Sequence, residues 1–275
     1  MPLIVLGSAK GSPGVTTTAL ACALAWSLHE GGRVLVVEAD VAGSDVAGGF
    51  LRGSIGPEVG LAAVAADRGR PFPQAAVANA IALDETGSRL LLPGLPSTAQ
   101  PPRLDDVLQP LAAWAASDPE VTILVDAGRL GPTVAGTLIA RADLVALVGG
   151  SSLRSVAASR PTVRRLRSAR DGRPAGDGVV AVVVGERRPY TADEVATGLG
   201  ASVAGSMAWD PASAAVLSDG EPMTRRFARS ALMRSASGVA RGLSVAAATD
   251  SSVAAGGVGE SVISSVAGAA RLEAS

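Results

Sequence analysis

One cysteine, one histidine and one lysine stand in a chain of 275 residues, and each scarcity removes a class of chemistry. With Cys22 alone no disulfide forms within the chain, and with His29 alone a zinc site lacks its ligands. A Ser-His-Asp or Cys-His mechanism would have to use His29, and no G-x-S-x-G elbow accompanies it. Cys22 lies in the apolar run ALACALAW, which points to a buried structural thiol. His29 follows that run just before Gly31-Gly32, where it suits the negative end of a helix. Aromatic residues make up 3% of the chain, so the core must be packed from small aliphatic side chains. The formal charge is −1, which leaves no global electrostatic case for nucleic acid or an anionic membrane. No apolar run reaches membrane-spanning length, and no basic leader precedes the first apolar run. The expected compartment is the cytoplasm.

What is present is a rhythm of short apolar runs and longer helical stretches. Candidate strands are Leu3–Leu6, Val34–Val37, Arg89–Leu92, Val121–Val125, Leu144–Val148, Val179–Val184 and Val203–Ala208. Helical character fills Thr16–Leu28, Leu104–Ala116, Thr133–Arg141, Ser152–Ser168 and Ala192–Leu199. Strands as uniformly apolar as VLVV, VTILV and VVAVVV are buried on both faces. They predict an α/β fold of three αβα layers, with a doubly wound, mainly parallel sheet and ligands at the carboxyl ends of its strands. Thr191 and Glu194 form a capping-box pattern, and Asp210-Pro211 an N-cap followed by proline at the first helical position. Phe227, Leu232 and Val239 assign the stretch Arg225–Leu243 to packing on the sheet. One domain is expected over residues 1–243, with a low-complexity Ala/Ser/Gly tail over 244–275.

The segment SAKGSPGVTT, residues 8–17, joins the first strand to the first helix. Gly-rich backbone here lets successive N–H groups point at a phosphate, while the following helix offers its positive end. Gly11 and Gly14 supply the freedom and Pro13 stiffens the turn, and the hydroxyls of Thr16 and Thr17 suit Mg²⁺ and a phosphate oxygen. The ordinary G-x-x-x-x-G-K-[ST] pattern is not met, because Ala9 takes the place of its first glycine and Val15 that of its lysine. Lys10, the only lysine, falls inside this loop.

In this register the loop resembles the deviant Walker A, K-G-G-x-G-K-[ST], of the MinD/ParA family of P-loop ATPases: Lys10, Gly11, Ser12, Pro13, Gly14, Val15, Thr16. Loss of the second lysine looks like the CpaE/TadZ branch, whose members position or assemble Tad-type pili. VLVVEAD is similar to the family's second strand ending in D-x-D, with Glu38 and Asp40 in its two acidic places. VTILVDAGRLG resembles the Walker B strand, with Asp126 at its end. The stretch YTADEVATGLGASVAGSMAWDPASAAVLSDGEPM follows the family's short helix, strand, P-x-D-like loop and G-E-P, so the likeness spans residues 1–243, weakest over about 50–115.

This resemblance implies MgATP as ligand and a face-to-face homodimer. Lys10 and Asp40 take the catalytic places, the lysine reaching the partner's phosphates and the aspartate orienting water. Residues 11–17 bind the phosphates, Thr16 and Asp126 hold Mg²⁺, and backbone near Trp209, Asp210 and Pro211 reads the base. The adenine-reading Asn is replaced by Gly185-Glu186, and Val15 predicts weak or absent hydrolysis. The expected function is a spatial organiser of pilus or secretion machinery, peripheral at a pole or membrane complex through its partners. A ParA-like partition ATPase on nonspecific DNA is the alternative, with Arg160, Arg164, Arg165, Arg167, Arg170 and Arg173 as its basic cluster, and a nucleotide-free scaffold is the third reading.

Overall fold

Alternate residues of the central strands face opposite sides of one sheet, and both sides are apolar. Leu3 and Val5 belong to one buried cluster, Ile4 and Leu6 to a second. A strand with two dry faces needs a helical layer on each side. The computed structural model describes residues 2–11, 13–40, 42–56, 58–95, 105–131, 136–170 and 178–249. In chain order its elements are β1 (Leu3–Ser8), α1 (Val15–Ala25), β2 (Arg33–Glu38), α2 (Asp45–Gly48), α3 (Leu61–Ala66), α4 (Phe72–Ala78), β3 (Ile81–Ala82), β4 (Arg89–Leu92), α5 (Asp105–Ser117), β5 (Val121–Arg129), α6 (Gly136–Arg141), β6 (Leu144–Gly150), α7 (Leu153–Ala169), β7 (Val179–Val184), α8 (Ala192–Leu199), β8 (Val203–Met207), α9 (Pro211–Ser218) and α10 (Arg225–Ala228). A last helix, α11, covers residues 231–249.

The sheet order is β3-β4-β2-β5-β1-β6-β7-β8, with every pairing parallel except that of β3 with β4. Helices α3 to α8 bury Leu61, Leu111, Leu138 and Val163 against one face, while α1, α2 and α9 to α11 bury Leu20, Val46, Leu217 and Val239 against the other. The fold is the expected doubly wound α/β sandwich. Its strand order reverses between β5 and β1, the place where such sheets open a crevice at their carboxyl ends.

Three local readings differ from the structure. The edge strand β3, only two residues long, carries no alternation that would mark it. Helix α1 stops at Ala25 rather than Leu28, where the Arg89 guanidinium caps it from the start of β4: Nε donates to the Ala23 carbonyl at 3.1 Å and an Nη to that of Trp26 at 2.9 Å. His29 therefore lies outside the helix, exposed, with Nδ1 2.9 Å from the Glu30 carbonyl. At the other end of the chain, α11 runs past residue 243 with Ala247 buried, continuing the stripe of Ala236, Val239 and Leu243. Its Gly242 crosses β8 so closely that a Cβ there would overlap the Ala204 carbonyl.

Candidate functional site

The loop after β1 is shaped by two left-handed residues, Gly11 at φ 72° and Gly14 at φ 90°. A side chain would strain both positions. Helix α1 begins at Val15 with no side-chain cap and no acid in its first turn, so the amides at its positive end remain open to an anion. Ser8 Oγ lies 3.4 Å from the carbonyls of both Gly11 and Gly128, tying the loop to the end of β5.

Sheet register brings the acids to this loop. Asp126 pairs with Leu6 on one side and Glu38 on the other, at the carboxyl ends of β5, β1 and β2. Its carboxylate is 1% exposed; Oδ2 accepts the Thr16 hydroxyl at 2.5 Å and Oδ1 the Gly128 amide at 2.9 Å. Burial pushes the Asp126 carboxyl up to about 6, with smaller contributions from the neighbouring charges of Glu38 and Asp40, while the two hydrogen bonds pull it down. Asp40 accepts the Ala42 amide at 2.8 Å and covers Gly128, where a Cβ would overlap its carboxylate.

Glu38 is buried, and its bonds go to other segments than the loop. It accepts the Ser44 hydroxyl at 2.5 Å and the amides of Val46 and Gly94 at 2.9 and 2.7 Å. Burial raises its carboxyl above the ordinary value, and these three bonds oppose the rise. Glu38 thus fastens α2 and the segment after β4 to the end of β2.

These residues enclose a cavity of about 960 Å³ walled by Gly11, Gly14, Val15, Thr16, Thr17 and Asp40, closed by Gly128–Arg129 and by Leu217–Ser218 at the end of α9. Thr16 and Thr17 are half-buried, whereas Val15 is only 6% exposed and its side chain joins the core beneath α1. Lys10 and Pro13 stand on the other side of the loop, in a cleft of about 330 Å³ with Gly149, Ser152 and Arg154. Ser12 lies outside the described residues.

Trp209, Asp210 and Pro211 are not in the cavity wall. Trp209 is 58% exposed beneath the Arg188 guanidinium, 5.2 Å from its ring centroid; Asp210 caps α9 by accepting the Ser213 amide at 3.2 Å, and Pro211 opens that helix. Sequence reasoning missed the clasp made by Glu38, the bare floor at Gly128 and the wall residues Arg129, Leu217 and Ser218. The first three lie within VLVVEAD and VTILVDAGRLG and the α9 residues within the quoted stretch ending in SDGEPM, but nothing in that stretch marks Leu217 and Ser218 as cavity wall.

Of the arginine cluster, three members are committed to backbone carbonyls. Arg170 is 3% exposed and bonds those of Ile139, Ala142 and Asp143, Arg165 bonds that of Leu130, and Arg167 that of Gly200 at 2.7 Å. Arg160 and Arg164 are exposed, and Arg173 lies outside the described residues.

The donor set fits Mg²⁺ and phosphate together. Among the described residues no three His, Cys, Asp or Glu side chains gather to cage a metal, so an ion here would rest on one or two protein oxygens plus ligand and water. That is the habit of Mg²⁺ bound with phosphates, and Thr16 with Asp126 supplies the protein oxygens.

No family model and no curated protein sequence matches the chain. Solved structures do. A chain of the MinC:MinD cell division protein complex from Aquifex aeolicus aligns at 19% identity and TM-score 0.68 over 89% of this chain and 96% of that one. A ParA family ATPase from Chlorobium tepidum aligns at 18% and 0.62 over 88% and 99%. The fold is that of MinD and ParA. MinD from Pyrococcus horikoshii, a septum site-determining protein solved with Mg-ADP, aligns at 18% and 0.62 over 87% and 95%. The MinD fold is thus matched along nearly its whole length, and no helix among the described residues is long and apolar enough to cross a membrane.

Proposed function

We propose that the chain is a MinD/ParA-type protein that binds MgATP in the loop cavity and hydrolyses it slowly or not at all. It acts as a homodimeric spatial organiser for pilus or secretion machinery. The observation that carries this reading is the convergence on one cavity of uncapped helix amides, the Thr16–Asp126 pair and Asp40. The Mg-ADP found with a MinD of the same fold supports the choice of ligand. When bound, Mg²⁺ would neutralise phosphate charge, held by the Thr16 hydroxyl and the Asp126 carboxylate. The backbone of residues 11–17 would cradle the phosphates, and Asp40 would orient water.

Val15 supports slow chemistry, because its side chain is packed in the core and brings no charge to the phosphates. A nucleotide held without turnover suits a state signal that governs assembly. The loop's lack of a second lysine supports the CpaE/TadZ-like role, and Lys10, exposed on the loop's outer side, suits a contact to the second copy. Backbone at 209–211, outside the cavity wall but at the start of the helix α9 whose far end closes it, is the proposed base-reading edge.

Calorimetry with MgATP on wild type, Lys10→Ala and Asp126→Ala tests the site, and gel filtration with a non-hydrolysable analogue tests the dimer. Binding by wild type and its loss in Asp126→Ala are expected; three alike would overturn the assignment. Arg160 and Arg164, exposed on a helix that carries no acid, favour DNA partitioning as the second reading. Salt-sensitive DNA retention that disappears when both are replaced would move the assignment there.

A further inference from the structure

The cavity has an electrostatic deficit that the loop itself does not correct. Its wall presents the carboxylates of Asp40 and Asp45, and Asp126 stands behind Thr16. A polyphosphate entering here meets this negative charge, and a single divalent ion offsets only part of it. Position 15, where a P-loop commonly brings a cation, holds a buried valine. The cation of the loop, Lys10, faces the separate cleft behind it.

One basic side chain does stand in the described wall. Arg129 is the last residue of β5 and lies in register with Ser8, the residue from which the loop departs. Its backbone is fixed on both sides. Its carbonyl accepts the Gly131 amide at 2.8 Å, and the next residue, Leu130, donates its amide to the Ser8 carbonyl at 2.8 Å. Leu130 is also wedged under Gly7, whose missing Cβ it replaces. The guanidinium, by contrast, is exposed and makes no ion pair or hydrogen bond among the described residues, although Asp40 shares the same wall. A fixed backbone that holds an uncommitted planar cation at the wall of an acidic cavity is an arrangement suited to an anion, and guanidinium pairs with phosphate oxygens two at a time.

We propose that Arg129 is the phosphate-binding cation of this site, taking from β5 the place that Val15 leaves empty. The proposal rests on the nucleotide reading above and adds to it the residue that makes a terminal phosphate preferred. The ligand class it selects is a nucleoside di- or triphosphate over the monophosphate or the nucleoside.

Titration calorimetry with Mg-AMPPNP, Mg-ADP and adenosine on wild type, Arg129→Gln and Arg129→Lys tests it, with melting curves of each protein without nucleotide. Arg129→Gln should weaken Mg-AMPPNP by roughly 10–100-fold, as expected for a charged hydrogen-bond donor lost from phosphate. Arg129→Lys should recover part of that loss. Adenosine affinity and the nucleotide-free melting point should not move, which a merely structural role would not allow. If wild type binds Mg-AMPPNP in an Asp126-dependent way and Arg129→Gln binds within twofold of it, the role of Arg129 is overturned and the nucleotide reading stands. If wild type binds none of the nucleotides, both fall together.

Discussion

At Asp126 burial and the proposed binding of Mg²⁺ pull in opposite directions. The carboxyl is pushed up to about 6 from an ordinary 3.8, chiefly by burial, so folding favours its neutral form. Its stabilising contribution is fully present below about pH 3.8 and is lost as pH rises through about 6. Asp126→Asn, neutral throughout, should therefore gain on the order of 2–3 kcal/mol over wild type at pH 7.5. That gain should vanish near pH 3.5, as urea unfolding at the two pH values will show. The same variant should lose Mg²⁺-dependent nucleotide binding, because the ion needs the charge that the fold resists. Thr122 presents a simpler case. Its Oγ1 is buried in β5 without a partner among the described residues, so Thr122→Val keeps the shape and removes an unpaired hydroxyl. A gain of about 1 kcal/mol in chemical denaturation is expected.

The strands and the loop were legible as elements because their signals are local. Short apolar runs marked seven of the eight strands, and Thr191 with Glu194 forms the capping box that its spacing announced. What escaped depends on residues distant in the chain. The end of α1 is capped by Arg89, which also pairs with Asp84 at 3.0 Å, and no reading confined to ALACALAWSLH contains that information. Arg89→Ala should cost about 2 kcal/mol, measured by thermal or urea unfolding, by taking the guanidinium donor from the Trp26 and Ala23 carbonyls and from the Asp84 carboxylate. The candidate site divides the same way. Gly11, Gly14, Thr16, Asp40 and Asp126 were readable as a pattern, whereas the α9 residues of its wall and the outward placement of Lys10 follow from how strands and helices dock.

For the molecule as a whole, the sheet separates two apolar cores, and α11 is a principal cover of the second. Its contact with β8 depends on small residues, Gly205 and Gly242, that let helix and strand backbones approach. The stripe Ala236, Val239, Leu243 and Ala247 makes the last turns part of the domain's packing. A chain ending at residue 243 should unfold about 1 kcal/mol more easily than one ending at 249, in paired denaturation curves, because Ala247 and the final hydrogen-bonded turns are lost together.

The solitary lysine on the loop's outer side gives the molecule a chemical handle of its own. Apart from the terminal amine, Lys10 offers the chain's one primary amine, and the single thiol, Cys22, is buried with its pKa pushed up to about 12, which keeps it unreactive. An amine-directed dye would therefore mark, besides the terminal amine, only this loop, on the face proposed above to meet a second copy. Its emission would report the proposed pairing of two copies, and a cysteine placed at an exposed position would accept a second colour.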